Sequence, residues 1–526
     1  MLARVKSGAL KGVDAYLVEV EVDLAPGMPY FATVGLPEVA VKESKDRVRA
    51  ALKNSGYKFP GNRVTINLAP ADVRKEGTGF DLPVALGILA AQEIVPQESL
   101  EKYIIFGELS LDGRLKPTRG ILSMALATRE KGLALIIPRD NIREAAVVQG
   151  IEIYPADTLA QLVEFLTGRE PLGAFQASPA DSDYPAADSD LDFREVKGQE
   201  PVKRALLLAA AGGHNVLMIG PPGAGKTMLA QRLPSILPRL NPEEALETSK
   251  IYSVVGQLQP GQGLLRLRPF RSPHHTISDA GLIGGGTTPR PGEVSLAHHG
   301  VLFLDELPEF KRSTLEVLRQ PLEDGVVTIS RAATAITFPA RFMLVASMNP
   351  CFCGYYGDAG RVCTCAPQKI QQYRARISGP LLDRIDLQVQ VAAVPFRDLA
   401  ADPGGEGSEA MRARVSQARW VQESRFAKVR RVFANAQMSA KMVQEHCALG
   451  PEARRLLETA VERLGLSARA YTRILKIART IADLEGEAHL SLPHVAEAIQ
   501  YRSLDRQFSS PQGVKFAKEV GERYLV

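Results

Sequence analysis

Hydrophobic and polar positions alternate at period two over Tyr16-Leu17-Val18-Glu19-Val20-Glu21-Val22 and again over Val64-Thr65-Ile66-Asn67-Leu68, which predicts two half-buried strands. Between them, Val41 to Lys53 carries its apolar residues at helical spacing. Residues 1–170 therefore read as one α+β domain. Further along, the pattern changes to short unbroken apolar runs: Val216-Leu217-Met218-Ile219, Val301-Leu302-Phe303-Leu304 and Phe342-Met343-Leu344-Val345-Ala346. Such runs belong to strands covered on both faces, as in a parallel sheet. Helical periodicity returns near the C-terminus. Ser408 to Phe426, with Ser408 as the expected cap, presents Met411, Val415 and Ala418 on one face; Pro451 to Gly465, Ala468 to Glu485 and Leu492 to Ser503 follow. The expected fold class is multidomain, with an α+β domain over 1–170, an α/β core over 193–400, a connecting helix within 401–431 and an all-α lid over 432–505.

Two stretches carry little to bury. Residues 171–192 are rich in Pro, Ala, Ser and Asp and read as a flexible linker, and the tail 506–526 carries charges of both signs. At 526 residues, 45% hydrophobic and 23% charged, the chain is an ordinary globular composition with a core of ample size. A net charge of +5 is small for this length and does not by itself demand nucleic acid. No leader pattern opens the chain and no run approaches the ~18 apolar residues of a membrane span, so a cytoplasmic protein without membrane partners is expected.

The candidate chemistry centres on Gly220-Pro221-Pro222-Gly223-Ala224-Gly225-Lys226-Thr227, between the Val216–Ile219 run and the helix-forming Met228-Leu229-Ala230. Strand, glycine loop and helix in this order form a phosphate-binding loop: backbone N–H groups curl around the anion and the helix dipole points at it. Lys226 is expected on the β/γ phosphates of ATP, and Thr227 on Mg²⁺. Asp305 and Glu306 stand at the carboxyl end of the Val301–Leu304 run, where ligands of parallel sheets bind. Asp305 is expected to hold Mg²⁺ and Glu306 to polarise the attacking water, so the pair argues for hydrolysis. Cys351, Cys353, Cys363 and Cys365 form a CxC, nine residues, CxC arrangement on a short loop over 351–365. Structural Zn²⁺, free thiols and a redox disulfide pair all remain open readings. The pairs His274-His275 and His298-His299 lack the spacing of a metal site, and Cys447 reads as packing.

Lys75-Glu76-Gly77-Thr78-Gly79-Phe80-Asp81-Leu82-Pro83 and Gly107 to Pro117 resemble the proteolytic domain of Lon and its relatives, a fold of the ribosomal S5 domain 2 type. Gly79 stands where that family has its serine and Leu122 near its lysine, so the resemblance implies the fold without the peptidase. What the domain does is open between a structural or nucleic-acid-facing role and an oligomerisation platform. The block from Arg268 to Gly300 and the remaining motifs resemble the magnesium-chelatase-like AAA+ ATPases of the ComM/YifB type, over all three parts of the chain. In that family Phe193 to Glu200 lies beside the adenine, Asn349 is the sensor that holds the attacking water, Arg384 is the arginine finger, and Arg469, with Arg473 as second choice, is the second sensor. By similarity to the MCM helicases, Arg331 on the Gly325 to Ala332 arm is a DNA contact. The resemblance implies a homo-oligomer, a hexamer by family habit, using ATP and Mg²⁺ to drive branch migration on branched or single-stranded DNA during recombination and natural transformation. A chelatase-like subunit for metal insertion and an ATP-dependent protease are the alternative readings.

Overall fold

A computed structural model describes residues 1–176, 191–259, 261–286, 288–331, 334–358, 360–395, 405–429 and 432–502. Most of the expected linker and the tail 506–526 lie outside the described residues. The chain divides into two compact units: Met1–Ala186 with Asn241–Arg266 and Ser330–Phe338, and Ala187–Leu240 with Leu267–Ile329 and Pro339–Val526.

In the first unit, strands Leu2–Lys11, Asp14–Ala25 and Arg63–Ala69 pair antiparallel, and Tyr30–Val34 adds to Arg63–Ala69 in parallel. Alternation places Val18, Val20, Val22, Val64, Ile66 and Leu68 in the core. The helix Asp81–Ala91 is apolar on every side and wholly buried. A second sheet runs Phe175–Gln176, Glu152–Ala156, Ala134–Pro138, Tyr103–Ile105, parallel except at its first strand. The helix Pro242–Val255 also belongs here. It opens on a reciprocal Asn241–Glu244 capping box, and Ser253 donates to Glu144 while its carbonyl accepts from Gly120 N–H at 3.1 Å. Leu246 and Leu264 pack on the cluster of Ile121, Leu122, Met124 and Ala125.

The second unit is built on a five-stranded, all-parallel sheet ordered Phe270–Arg271, Val301–Leu304, Met343–Met348, Val216–Ile219, Leu387–Gln390. The Val301–Leu304 and Met343–Met348 strands and Val216–Leu217-Met218 are fully buried, as their unbroken apolar runs predict. The first of the five in sequence lies between the fourth and fifth. The order in which strands are added reverses around it, and such a switch point places a ligand cleft at the carboxyl ends.

Helices Ser408–Phe426, Ala440–His446, Pro451–Leu464, Ala468–Glu485 and Leu492–Gln500 complete the unit. One buried cluster runs from Val216, Phe303 and Val345 through Leu457, Ile474 and Ile481 to Val495, so sheet and helices share a core. Ser408 is not the cap of its helix: it is the first helical residue, Gly407 is the cap, and the Ser408 hydroxyl is taken by Phe193 N–H at 2.8 Å and Ser235 Oγ at 2.7 Å.

Candidate functional site

The loop between Val216–Ile219 and helix Lys226–Ile236 turns through Gly223 and Gly225, both in the left-handed region at φ 77° and 84°. Gly220 has no room for a side chain, since a Cβ would lie 2.1 Å from Val391 O. At the loop's base Lys226 Nζ donates to Gly220 O at 2.7 Å, Pro221 O at 2.9 Å and Asn349 Oδ1 at 3.1 Å. Burial lowers the Lys226 pKa, while Asp305 and Glu306 pull it the other way. Thr227 Oγ1 donates to Asp305 Oδ2 at 2.7 Å, and Asp305 Oδ1 accepts from Ser347 Oγ and from Glu306 N–H at 3.0 Å. Three adjacent strands thus bring Lys226, Thr227, Asp305 and Asn349 to one place. Thr227 and Asp305 offer hard oxygens of the kind Mg²⁺ prefers.

Ser347 and His275 are participants that sequence reasoning missed. Ser347 is a buried hydroxyl in an otherwise apolar run, and that single polar residue was the available signal. His275 Nδ1 lies 3.5 Å from Glu306 Oε2, whose side chain is 56% exposed and whose backbone is left-handed at φ 54°. No spacing rule links residues so far apart.

Arg384 occupies a different environment from the free-standing guanidinium that a trans-acting finger implies. Its side chain is 7% exposed, ion-paired with Glu323, and donates to Pro380 O at 2.5 Å. Arg469 is exposed on the first turn of Ala468–Glu485, a helix capped by Ser467 accepting from Ala470 N–H. Arg473, one turn on, pairs with buried Asp386 and donates to Arg384 O at 3.2 Å. Burial alone would raise the Asp386 pKa, but Arg473 and His214 hold it below the usual carboxylate range. Arg331 is exposed at the end of Val326–Arg331, which forms a two-stranded sheet with Thr334–Pro339.

The four cysteine sulfurs lie within 4.8 Å of one another, unbridged. Backbone N–H groups of Tyr355 and Thr364 hold the Cys353 thiol down to about 6. In the first unit, a Cβ on Gly79 would lie 2.2 Å from the Phe106 ring, so an aromatic ring fills the space of the missing serine side chain. Leu122 is buried among apolar neighbours.

The family model described as "Magnesium chelatase, subunit ChlI" matches residues 192–399. "Subunit ChlI of Mg-chelatase" matches 20–141, and "Magnesium chelatase, subunit ChlI C-terminal" matches 405–502. The chain is 47% identical over 509 residues to the competence protein ComM of Haemophilus influenzae, covering 96% of this chain and 98% of that protein. It belongs to the ComM/YifB family of magnesium-chelatase-like AAA+ proteins. YifB of Escherichia coli K12 is 45% identical over 507 residues, 96% of this chain and 98% of that protein. A shorter match, 25% identical over 218 residues, is to the DNA replication licensing factor mcm7 of Schizosaccharomyces pombe, covering 39% of this chain and 25% of that protein. The ComM/YifB relationship extends over both units, and no helix among the described residues is long and apolar enough to cross a membrane.

Proposed function

We propose that the protein is an ATP-hydrolysing motor that works as a homo-oligomeric ring, a hexamer, on branched or single-stranded DNA and promotes branch migration during recombination. One observation carries the ATPase half: Lys226, Thr227, Asp305, Ser347 and Asn349 meet through direct hydrogen bonds at the carboxyl ends of three parallel strands. Lys226 binds the β/γ phosphates, and the loop N–H groups cradle them. Thr227 and Asp305 hold Mg²⁺, which when bound neutralises phosphate charge. Glu306 polarises the attacking water and Asn349 orients it. Arg384 of a neighbouring subunit stabilises charge on the transferring phosphoryl group once it leaves Glu323, and Arg469 or Arg473 senses the nucleotide from the helical lid.

The DNA half rests on likeness to proteins named for competence and DNA replication, and on Arg331, exposed at a hairpin end where a backbone phosphate could meet it. A Lon-type fold for the N-terminal unit fits its mixed sheet, and Phe106 against Gly79 speaks against a peptidase. The test is strand displacement on a three-stranded junction. Wild type should process the junction with ATP, with turnover rising on forked DNA and falling steeply with salt, whereas Glu306→Gln should bind ATP and process nothing. Rapid hydrolysis with neither junction processing nor DNA stimulation would overturn the motor. Porphyrin-dependent turnover would favour the metal-insertion reading that the chelatase family models suggest.

A further inference from the structure

The Met343–Met348 strand delivers Asn349 to the phosphate loop and two residues later begins the cysteine loop. Sγ of Cys351 lies 3.3 Å from Sγ of Cys353 and 3.7 Å from that of Cys363, and Cys353 and Cys363 are 3.6 Å apart. A disulfide needs about 2.05 Å. Four sulfurs bound to one tetrahedral ion at the usual Zn–S length of about 2.3 Å stand about 3.8 Å apart, close to the separations found. An iron–sulfur cluster would place several atoms between the thiolates and spread them farther. The one-residue spacing within each pair is tighter than the common zinc spacing, and left-handed glycines, Gly354 at φ 87° and Gly357 at φ 79°, let the loop close. Cys365 N–H donates to Cys363 Sγ at 3.4 Å, an outer-shell contact of the kind that orients metal ligands.

The same loop touches the nucleotide site. Gly354 packs so closely on Pro222 that a Cβ would lie 2.5 Å from Pro222 Cδ. Arg374 Nε donates to Pro350 O at 3.2 Å, and Phe352 lies on Tyr373 with ring centroids 4.8 Å apart.

We propose that Cys351, Cys353, Cys363 and Cys365 bind one Zn²⁺, and that this ion acts as a strut that fixes the Asn349 turn and Pro222 of the phosphate loop. The binding half stands alone; the strut half rests on the ATPase reading. Without the ion, only weak N–H to sulfur contacts such as Thr364 to Cys353 join the two ends of the loop among the described residues, so the turn that follows Asn349 is held less firmly against Pro222.

The test uses the full chain purified from zinc-supplemented medium, with elemental analysis and ATP turnover measured on the same samples. One zinc per chain is expected in the wild type and under a tenth of that in Cys363→Ser, with turnover at least tenfold lower. Cys365→His, which keeps a zinc ligand, should hold the ion and recover most of the turnover that Cys365→Ser loses. A metal-free wild type with four titratable thiols, or with disulfides, would overturn the site, as would a polynuclear iron cluster. Zinc loss with unchanged turnover would overturn the strut. A zinc-loaded wild type that hydrolyses no ATP would sink the ATPase reading and the strut while leaving the zinc site standing.

Discussion

Lys226 illustrates how single residues set the chemistry. Lys226 is buried and its amine is tied to three oxygens, so Lys226→Ala removes the one cation of the phosphate loop; ATP turnover should fall at least 100-fold with the melting temperature little changed. Ser347 is subtler. Ser347→Ala leaves Asp305 Oδ1 with the Glu306 N–H and loosens the carboxylate that Thr227 meets at Oδ2, and turnover should drop about tenfold with a raised Mg²⁺ requirement, read by titrating Mg²⁺ at saturating ATP. Away from the site, burial pushes the Asp81 carboxyl up to about 6 despite Arg47, whose Nε donates at 2.7 Å. The folded state therefore holds that proton more tightly than the unfolded chain. The associated stability, up to about 3 kcal/mol, is present below pH ~4 and lost as pH rises through 6. Denaturant titrations at pH 4 and 7 should show this slope, and Asp81→Asn should flatten it. The phosphate-loop residues were legible because eight of them are contiguous, and Asp305 because it ends an apolar run. The His275 contact to Glu306 and the Phe106 ring over Gly79 were not, because only folding brings those distant positions together.

Elements repeat the lesson. Helices Ser408–Phe426 and Ala468–Glu485 stand where periodicity put them, since apolar faces and stop residues are local signals. Ser467→Ala removes the hydroxyl that accepts from Ala470 N–H and should lower unfolding free energy by about 1 kcal/mol in denaturant melts. The Ser408 cap failed because a tertiary demand, the buried Phe193 N–H, claimed the hydroxyl first. The cysteine loop couples to the phosphate loop through Gly354. In Gly354→Ala the new methyl meets Pro222 and the backbone is strained at φ 87°, so nucleotide affinity should fall several-fold, measured with a fluorescent ATP analogue.

For the whole molecule, the position of Arg384 makes a ring testable. A guanidinium clasped by Glu323 within its own subunit must exchange that partner for a neighbour's phosphate if it acts in trans. Mixing inactive Lys226→Ala chains with inactive Arg384→Ala chains should then restore part of the turnover, whereas a purely structural Arg384 predicts no recovery. Segment membership was not legible at this scale. The sequence reading placed 193–400 in one domain, close to the 192–399 that one family model spans, while in the fold Asn241–Arg266 and Ser330–Phe338 pack with the N-terminal residues. Helix Pro242–Val255 signals only that it is a helix; that its Leu246 packs on the Ile121 to Ala125 cluster depends on the fold. The N-terminal unit is accordingly no cassette. A gene exchange that moved residues 1–176 alone would strand Glu144 without Ser253 and bare an apolar face, so a viable chimera would have to carry Asn241–Arg266 and Ser330–Phe338 along with the N-terminal residues.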